Sequence, residues 1–243
     1  MSIPRHEIPL PDIVAEQAGD RVVKAVWVNG IGGTTWQLGE GPERDFLKIG
    51  PAHPEFDVDA EVQRLAWLAR WVCVPQPVAW GHEGPYAWLL TRGLNGDNSV
   101  SDANRHRPGV VVPALGRGLR RFHDLVPVQG CPFGWSAGER ILGLKSKNCH
   151  EIPTPSPVHR VVCHGDACSP NFLIGDDAEV SGYVDCGRTG VGDRHADLAP
   201  ALQSLEWNYG AGWSGHFLDS YCEDGLRLDA GLIDSYRELW NAE

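Results

Sequence analysis

The chain has 243 residues, 42% of them hydrophobic and 22% charged, which is enough to bury a core and excludes a disordered polypeptide. Lys and Arg number 21 against 32 Asp and Glu, and the net charge of −11 argues against a nucleic-acid footprint and for a cationic small-molecule partner. No apolar run approaches the roughly 20 residues of a membrane helix, so no membrane partner is expected.

Residues 1–10 carry Pro4, His6, Glu7 and Pro9 and do not read as a signal peptide, so a cytoplasmic location is expected. Residues 21–28 are rich in β-formers and lead into a loop at 29–35 containing Gly30, Gly32 and Gly33. With 36–38 this predicts a hairpin with a glycine-rich tip. Residues 45–49 are a short apolar strand holding one lysine, Lys48. Val62, Leu65, Ala66 and Ala69 predict a helix over 59–72, stopped by Pro75 and Pro77. Strands follow at 78–80 and 87–91. The order of three strands, one helix and two strands describes a small half-open sheet.

The character then changes. Residues 93–109 read as a linker, and Pro113 as the first residue of a helix with Leu115, Leu119 and Phe122 on one face. Residues 130–157 are proline-rich and irregular. Short strands are predicted at 161–163 and 183–185, and helices at 196–205 and 232–240. Two lobes are expected, residues 1–92 and 93–243, in an α+β architecture. The seven cysteines are scattered and form no C-x-x-C pair, which predicts free thiols rather than a disulfide frame or a zinc site.

The chemistry concentrates in the second half. A β-run enters His164-Gly165-Asp166, and Asn171 follows five residues after the aspartate. A second β-run ends in Asp185-Cys186-Gly187-Arg188. Any one of these alone reads as a turn residue. Together they supply a carboxylate to orient a hydroxyl and two hard oxygen donors suited to Mg²⁺, the set that phosphoryl transfer needs.

His164-Gly165-Asp166 with Asn171, followed by Asp185-x-Gly187-Arg188-x-Gly190-x-x-Asp193-Arg194-x-x-Asp197-Leu198, resembles the aminoglycoside phosphotransferases, a branch of the protein-kinase-like fold. The resemblance is strong over residues 161–210 and weaker before them. It implies a two-lobed enzyme with a small antiparallel-sheet lobe, a larger mainly helical lobe and ATP in the cleft. The expected reaction is transfer of phosphate to an antibiotic hydroxyl, with drug resistance as the outcome. By the same resemblance Asp166 is the catalytic base, and Asn171 and Asp185 hold Mg²⁺. Lys48 would grip the phosphates, held by Glu61, while Gly32, Gly33 and Thr34 cover them. Arg92 and Leu94 would belong to the hinge that meets adenine. No Lys-Ser/Thr follows the glycines, so this is not a Walker A loop. Arg188, Asp193, Arg194 and Asp197 read mainly as structural groups around the catalytic loop, and His164 as a brace. A monomer is expected.

Substrate specificity is read from the helix after Asp197. An aspartate usual in kanamycin-type enzymes falls at Ser204, and Trp207 replaces another acid. Glu206-x-Asn208-Tyr209 is similar instead to a string of streptomycin 3″-kinases. Streptomycin is therefore the expected substrate, with Arg188, Glu206, Asn208 and Glu243 as contacts beside Asp166. A kanamycin- or neomycin-type 3′-phosphotransferase, or a kinase of another small alcohol, is the alternative. A protein kinase is disfavoured because no Ala-Pro-Glu anchor appears.

Overall fold

A computed structural model describes residues 3–4, 6–53, 56–138 and 159–242. The expectations for residues 139–157 and for Glu243 lie outside the described residues. The chain divides into two compact units, Met1–Asn95 and Gly96–Glu243. The architecture is α+β.

The first unit is built on a five-stranded antiparallel sheet. Its strands are β1 (Val23–Val28), β2 (Thr34–Leu38), β3 (Asp45–Pro51), β4 (Pro77–Glu83) and β5 (Tyr86–Arg92), in the order β1-β2-β3-β5-β4. Alternation along β3 buries Leu47 and Ile49 on one face and leaves Phe46 and Lys48 on the other. The buried face packs with Trp36, Leu38 and Leu90 against Ile13, Val14 and Ala18 of α1 (Asp12–Ala18). That helix corrects the expectation of a single helix here. Seven residues give too few apolar repeats for a periodic signal, and α1 is held by packing rather than propensity. The expected helix is α2 (Val58–Leu68), which starts where the Asp57 side chain accepts from the Ala60 amide at 2.9 Å. Asp45 is buried at the start of β3 between Arg21, at 2.6 Å, and Arg92, at 3.0 Å.

The second unit opens with β6 (Asp97–Asn98), α3 (Asp102–Arg105) and α4 (Pro108–Leu125), so the expected linker carries structure. Pro108, not Pro113, occupies the first turn of α4, where a missing amide hydrogen costs nothing. β7 (Arg160–Cys163) pairs with β10 (Gly190–Asp193), and β8 (Phe172–Ile174) joins β6 to β9 (Val180–Tyr183). The helices α5 (His195–Tyr209), α6 (Ser214–Tyr221) and α7 (Ala230–Ala242) follow. α6 was not expected from the sequence, since only Phe217 and Tyr221 face inward along its eight residues.

Two glycines in α4 set how closely its neighbours approach. A Cβ on Gly116 would lie 2.4 Å from the Phe217 carbonyl oxygen, and one on Gly118 would lie 2.4 Å from the Val180 side chain. Glycine costs a helix about 1 kcal/mol per position, and this contact with α6 and β9 offsets it. Phe122, Tyr183 and Phe172 then pack edge to face at 5.0 and 5.6 Å, and the Tyr183 hydroxyl donates to the Gly118 carbonyl at 2.8 Å. Among the described residues the six cysteines are free, and no helix is long and apolar enough to cross a membrane.

Candidate active site

In the first unit the sheet and α2 bring together the two charged residues expected to meet. The Lys48 Nζ lies 2.8 Å from the Glu61 Oε1. The lysine side chain is 23% exposed and the glutamate 6%, so the carboxylate is sequestered while the ammonium keeps access to solvent. The hairpin tip is organised by Asn29, a residue not anticipated from the sequence. Its Oδ1 accepts from the Gly33 amide at 2.6 Å and the Ile31 amide at 3.2 Å. Gly32 has a φ of +86°, which only glycine adopts without strain, and the Thr34 hydroxyl accepts from the Trp36 indole at 2.8 Å. Around the expected hinge, the Arg92 amide donates to the Gln76 carbonyl and the Gly93 amide to the Arg44 carbonyl. The Leu94 carbonyl accepts from the Arg44 guanidinium at 2.7 Å.

In the second unit β7 delivers His164, Gly165 and Asp166 into a tight loop. Gly165 has a φ of +87°, and a Cβ there would stand 2.1 Å from the Arg188 carbonyl oxygen. The loop carrying Asp166 is thus pressed onto the loop that follows Asp185. The same contact is tied by the Thr189 hydroxyl, which donates to the His164 carbonyl at 3.1 Å. His164 braces this junction. Its Nε2 donates to the Val184 carbonyl at 3.0 Å and its Nδ1 accepts from the Asp166 amide at 3.3 Å, a pair of contacts that one tautomer satisfies. The ring stacks on Phe172 at 5.9 Å.

Asp197 at the start of α5 holds the loop from beneath. One of its oxygens accepts from the His164 amide at 2.6 Å and the other from the Gly165 amide at 2.9 Å. Its side chain is fully buried and also accepts from His123 Nε2 at 3.0 Å, while His123 Nδ1 accepts from the Tyr221 hydroxyl at 2.7 Å. The chain of donors from α6 through α4 to the loop gives His123 a structural task that a lone histidine in a sequence does not reveal. Asp193 takes the His159 and His195 amides and the His195 ring, whose other nitrogen accepts from the Asp229 amide. That links α5 to the start of α7.

Asp166 itself is unlike the other carboxylates. Its Oδ1 is buried and makes no hydrogen bond. Burial, and next the charge of Asp185, push its carboxyl above the usual range, opposed first by a hydrogen bond with the Cys168 side chain and more weakly by Arg188. A buried acceptor without a donor is costly unless a ligand supplies one. Asn171 stands beside it, its Nδ2 donating to the Asp166 carbonyl at 2.9 Å. Asp185 lies exposed two residues past β9 with a φ of +61°, uncommon for a non-glycine residue. The hard-oxygen donor set of Asn171 and Asp185 fits Mg²⁺ bound by few protein ligands and by phosphate oxygens. No group of three His, Cys, Asp or Glu that could hold a metal occurs among the described residues.

Of the expected substrate contacts, Glu206 is exposed near the end of α5, next to Trp207, which is 62% exposed. Asn208 is held within the unit instead. Its Nδ2 donates to the Ser204 carbonyl at 2.8 Å, and its Oδ1 accepts from Arg105 at 3.1 Å. Ser204 is buried.

A sequence model described as the phosphotransferase enzyme family matches residues 27–146 and 149–239. The chain belongs to the aminoglycoside phosphotransferase family. It is 32% identical to an aminoglycoside 3′-phosphotransferase of Streptomyces fradiae, over 86% of this chain and 90% of that one. It is 31% identical to a streptomycin 3″-kinase of Streptomyces griseus, over 66% of this chain and 68% of that one. A crystal structure of an aminoglycoside-3′-phosphotransferase of type VIII matches with a TM-score of 0.80 at 26% identity, covering 94% of this chain and 96% of that one. This family member has the kinase-like fold and is an O-phosphotransferase.

Proposed function

We propose that this phosphotransferase is an ATP- and Mg²⁺-dependent enzyme that phosphorylates a hydroxyl of an aminoglycoside, streptomycin at its 3″ position, and so gives resistance. The observation that carries the reading is the buried, unpartnered Oδ1 of Asp166 beside Asn171 and Asp185. A substrate hydroxyl is the donor that this oxygen lacks. Asp166 accepts that hydrogen bond, orients the nucleophile and takes its proton as the oxygen bonds to the γ-phosphorus and the bond from that phosphorus to the departing ADP oxygen breaks. Its raised proton affinity favours that acceptance. Lys48, held by Glu61, and the glycine loop with Gly32, Gly33 and Thr34 bind the triphosphate. The segment around Arg92 and Leu94 meets the adenine. Asn171 and Asp185 would hold Mg²⁺, which when bound neutralises charge on the phosphate oxygens. Most of the rate comes from positioning and fixed charge.

The substrate assignment rests on α5. By the resemblance, Ser204 stands where kanamycin-type enzymes carry an acid, and a serine supplies no carboxylate there. Glu206, exposed on the same helix, and Arg188 remain as contacts, and a carboxylate pairs well with the guanidinium groups of streptomycin. The second reading is a 3′-phosphotransferase of kanamycin or neomycin type, favoured by the larger share of the chain that the Streptomyces fradiae enzyme matches. A cytoplasmic monomer completes the proposal. A panel of drugs assayed for ADP release with Mg²⁺ and ATP tests it. Streptomycin-dependent turnover is expected; turnover of kanamycin or neomycin with none of streptomycin would overturn the substrate assignment.

A further inference from the structure

The turn that presents Asn171 is held by its backbone. Residues Ser169–Asn171 form a single short helical turn between Cys168 and β8. The Ser169 hydroxyl is buried and makes no hydrogen bond, so this side chain does not anchor the turn. Its main chain is gripped from two directions. From α5, the Ser204 hydroxyl accepts from the Ser169 amide at 2.9 Å. From the β6 side, the Ser99 hydroxyl donates to the Ser169 carbonyl at 2.5 Å, and Asn98 Nδ2 donates to the Pro170 carbonyl at 2.7 Å.

The two grips are joined to each other. Asn208 Nδ2 reaches the Ser204 hydroxyl at 3.2 Å as well as its carbonyl, and Arg105 on α3 holds the other end of Asn208. The Tyr209 hydroxyl donates to the Ser99 carbonyl at 2.7 Å. Burial pushes that phenol up to about 12, so it remains a donor at any ordinary assay pH. Ser204 is 1% exposed. Its hydroxyl faces the turn that carries Asn171.

We infer that Ser204 is a positioning residue for the metal site: with Asn208 and Arg105 it fixes the Ser169–Asn171 turn, and so sets where the Asn171 amide oxygen stands relative to Asp185. The inference rests on the proposed Mg²⁺ role of Asn171 and Asp185. The physical argument is one of stiffness. Asn171 itself is anchored by its side-chain bond to the Asp166 carbonyl, by its own amide to the Cys168 carbonyl and by its carbonyl to the Val184 amide. The bond to Cys168 lies within the turn, the other two reach loops, and the grips of Ser99 and Asn98 come from the end of a two-residue strand, so stiffness calls for a fixed point on a helix. The Ser204 hydroxyl supplies that fixed point. Groups that orient a metal's ligands affect affinity without touching the metal.

The test is a Mn²⁺ titration of the full chain with ADP, read by the free-ion electron paramagnetic resonance signal, in wild type, Ser204→Ala, Asn208→Ala and Arg105→Ala. Removing the hydroxyl is expected to weaken Mn²⁺ binding about five- to tenfold. The Asn208 and Arg105 variants should follow in the same direction by about two- to fourfold. ADP affinity without metal should stay within a factor of about two. Unchanged Mn²⁺ affinity in Ser204→Ala would overturn the inference and leave the proposed function standing. Should that variant not fold, the same result in Asn208→Ala and Arg105→Ala would overturn it, since Arg105 is exposed. Absence of ADP-dependent Mn²⁺ binding in the wild type would instead overturn the metal reading, and the inference with it.

Discussion

The two units hold their functional groups by different means. The first holds its lysine side chain to side chain, Lys48 with Glu61, and the lysine is long and keeps access to solvent. The second holds its loop through main-chain amides bound to a buried carboxylate, Asp197, with His123 and then Tyr221 hydrogen-bonded in line behind it. The contrast follows from the tasks proposed for them. A group that grips a mobile, charged triphosphate can be flexible, whereas a base must meet a hydroxyl in line, and small displacements are costly there.

The contrast is broken most severely at Asp197. Replacing it with alanine leaves two buried amides and a buried histidine without their acceptor, and the expected destabilisation is about 3–5 kcal/mol with loss of activity. Thermal or denaturant unfolding checks this; a melting temperature equal to the wild type would mean that the loop is held by something else. Lys48→Ala should separate function from stability more cleanly. The nucleotide KM is expected to rise at least tenfold while the drug KM stays within about twofold. Because the buried Glu61 carboxylate would lose its ammonium contact at 2.8 Å, moderate destabilisation should accompany it, and Lys48→Ala with Glu61→Gln should recover part of that stability but not activity.

These two sites also differ in how much of them the sequence discloses. Lys48 and Glu61 lie thirteen residues apart on an apolar strand and an adjoining helix, so local pattern and motif together found the pair. Asp166, Asn171 and Asp185 stand at fixed spacings and were proposed on the same grounds. Asp197 and His164 read as structural groups around the loop, as they are, but their distant partners did not show. His123 and Asp197 are 74 residues apart, Tyr221 and His123 are 98 apart, and Arg105 reaches Asn208 across 103 residues. Nothing in a residue's own neighbourhood tells which distant partner packs beside it. Asn208 illustrates the consequence: its motif points to substrate, yet its side chain is engaged by Arg105 and Ser204. α1 and α6 escaped for the plainer reason that they are short.

The smallest effect is expected at the periphery of the second unit. Arg120 on α4 grips the exposed Asp224 with two hydrogen bonds, at 2.9 and 2.7 Å, and chiefly this contact lowers the Asp224 carboxyl to about 2. A carboxylate depressed on folding stabilises above its unfolded value of about 3.9, and the benefit is lost as pH falls towards 2. Asp224→Asn should therefore lower the melting temperature slightly at pH 7 and not at pH 2, with activity unchanged. An equal difference at both pH values would assign the effect to something other than this charge.

The account turns on Asp166 as the group that receives the substrate hydroxyl. Its most direct test is single-turnover transfer of labelled γ-phosphate to streptomycin by Asp166→Asn, alongside ATP binding with Mg²⁺ by the same protein. Transfer slowed by roughly 10²–10⁴-fold, with nucleotide affinity within about threefold of the wild type, is the predicted result. Transfer at the wild-type rate would contradict it.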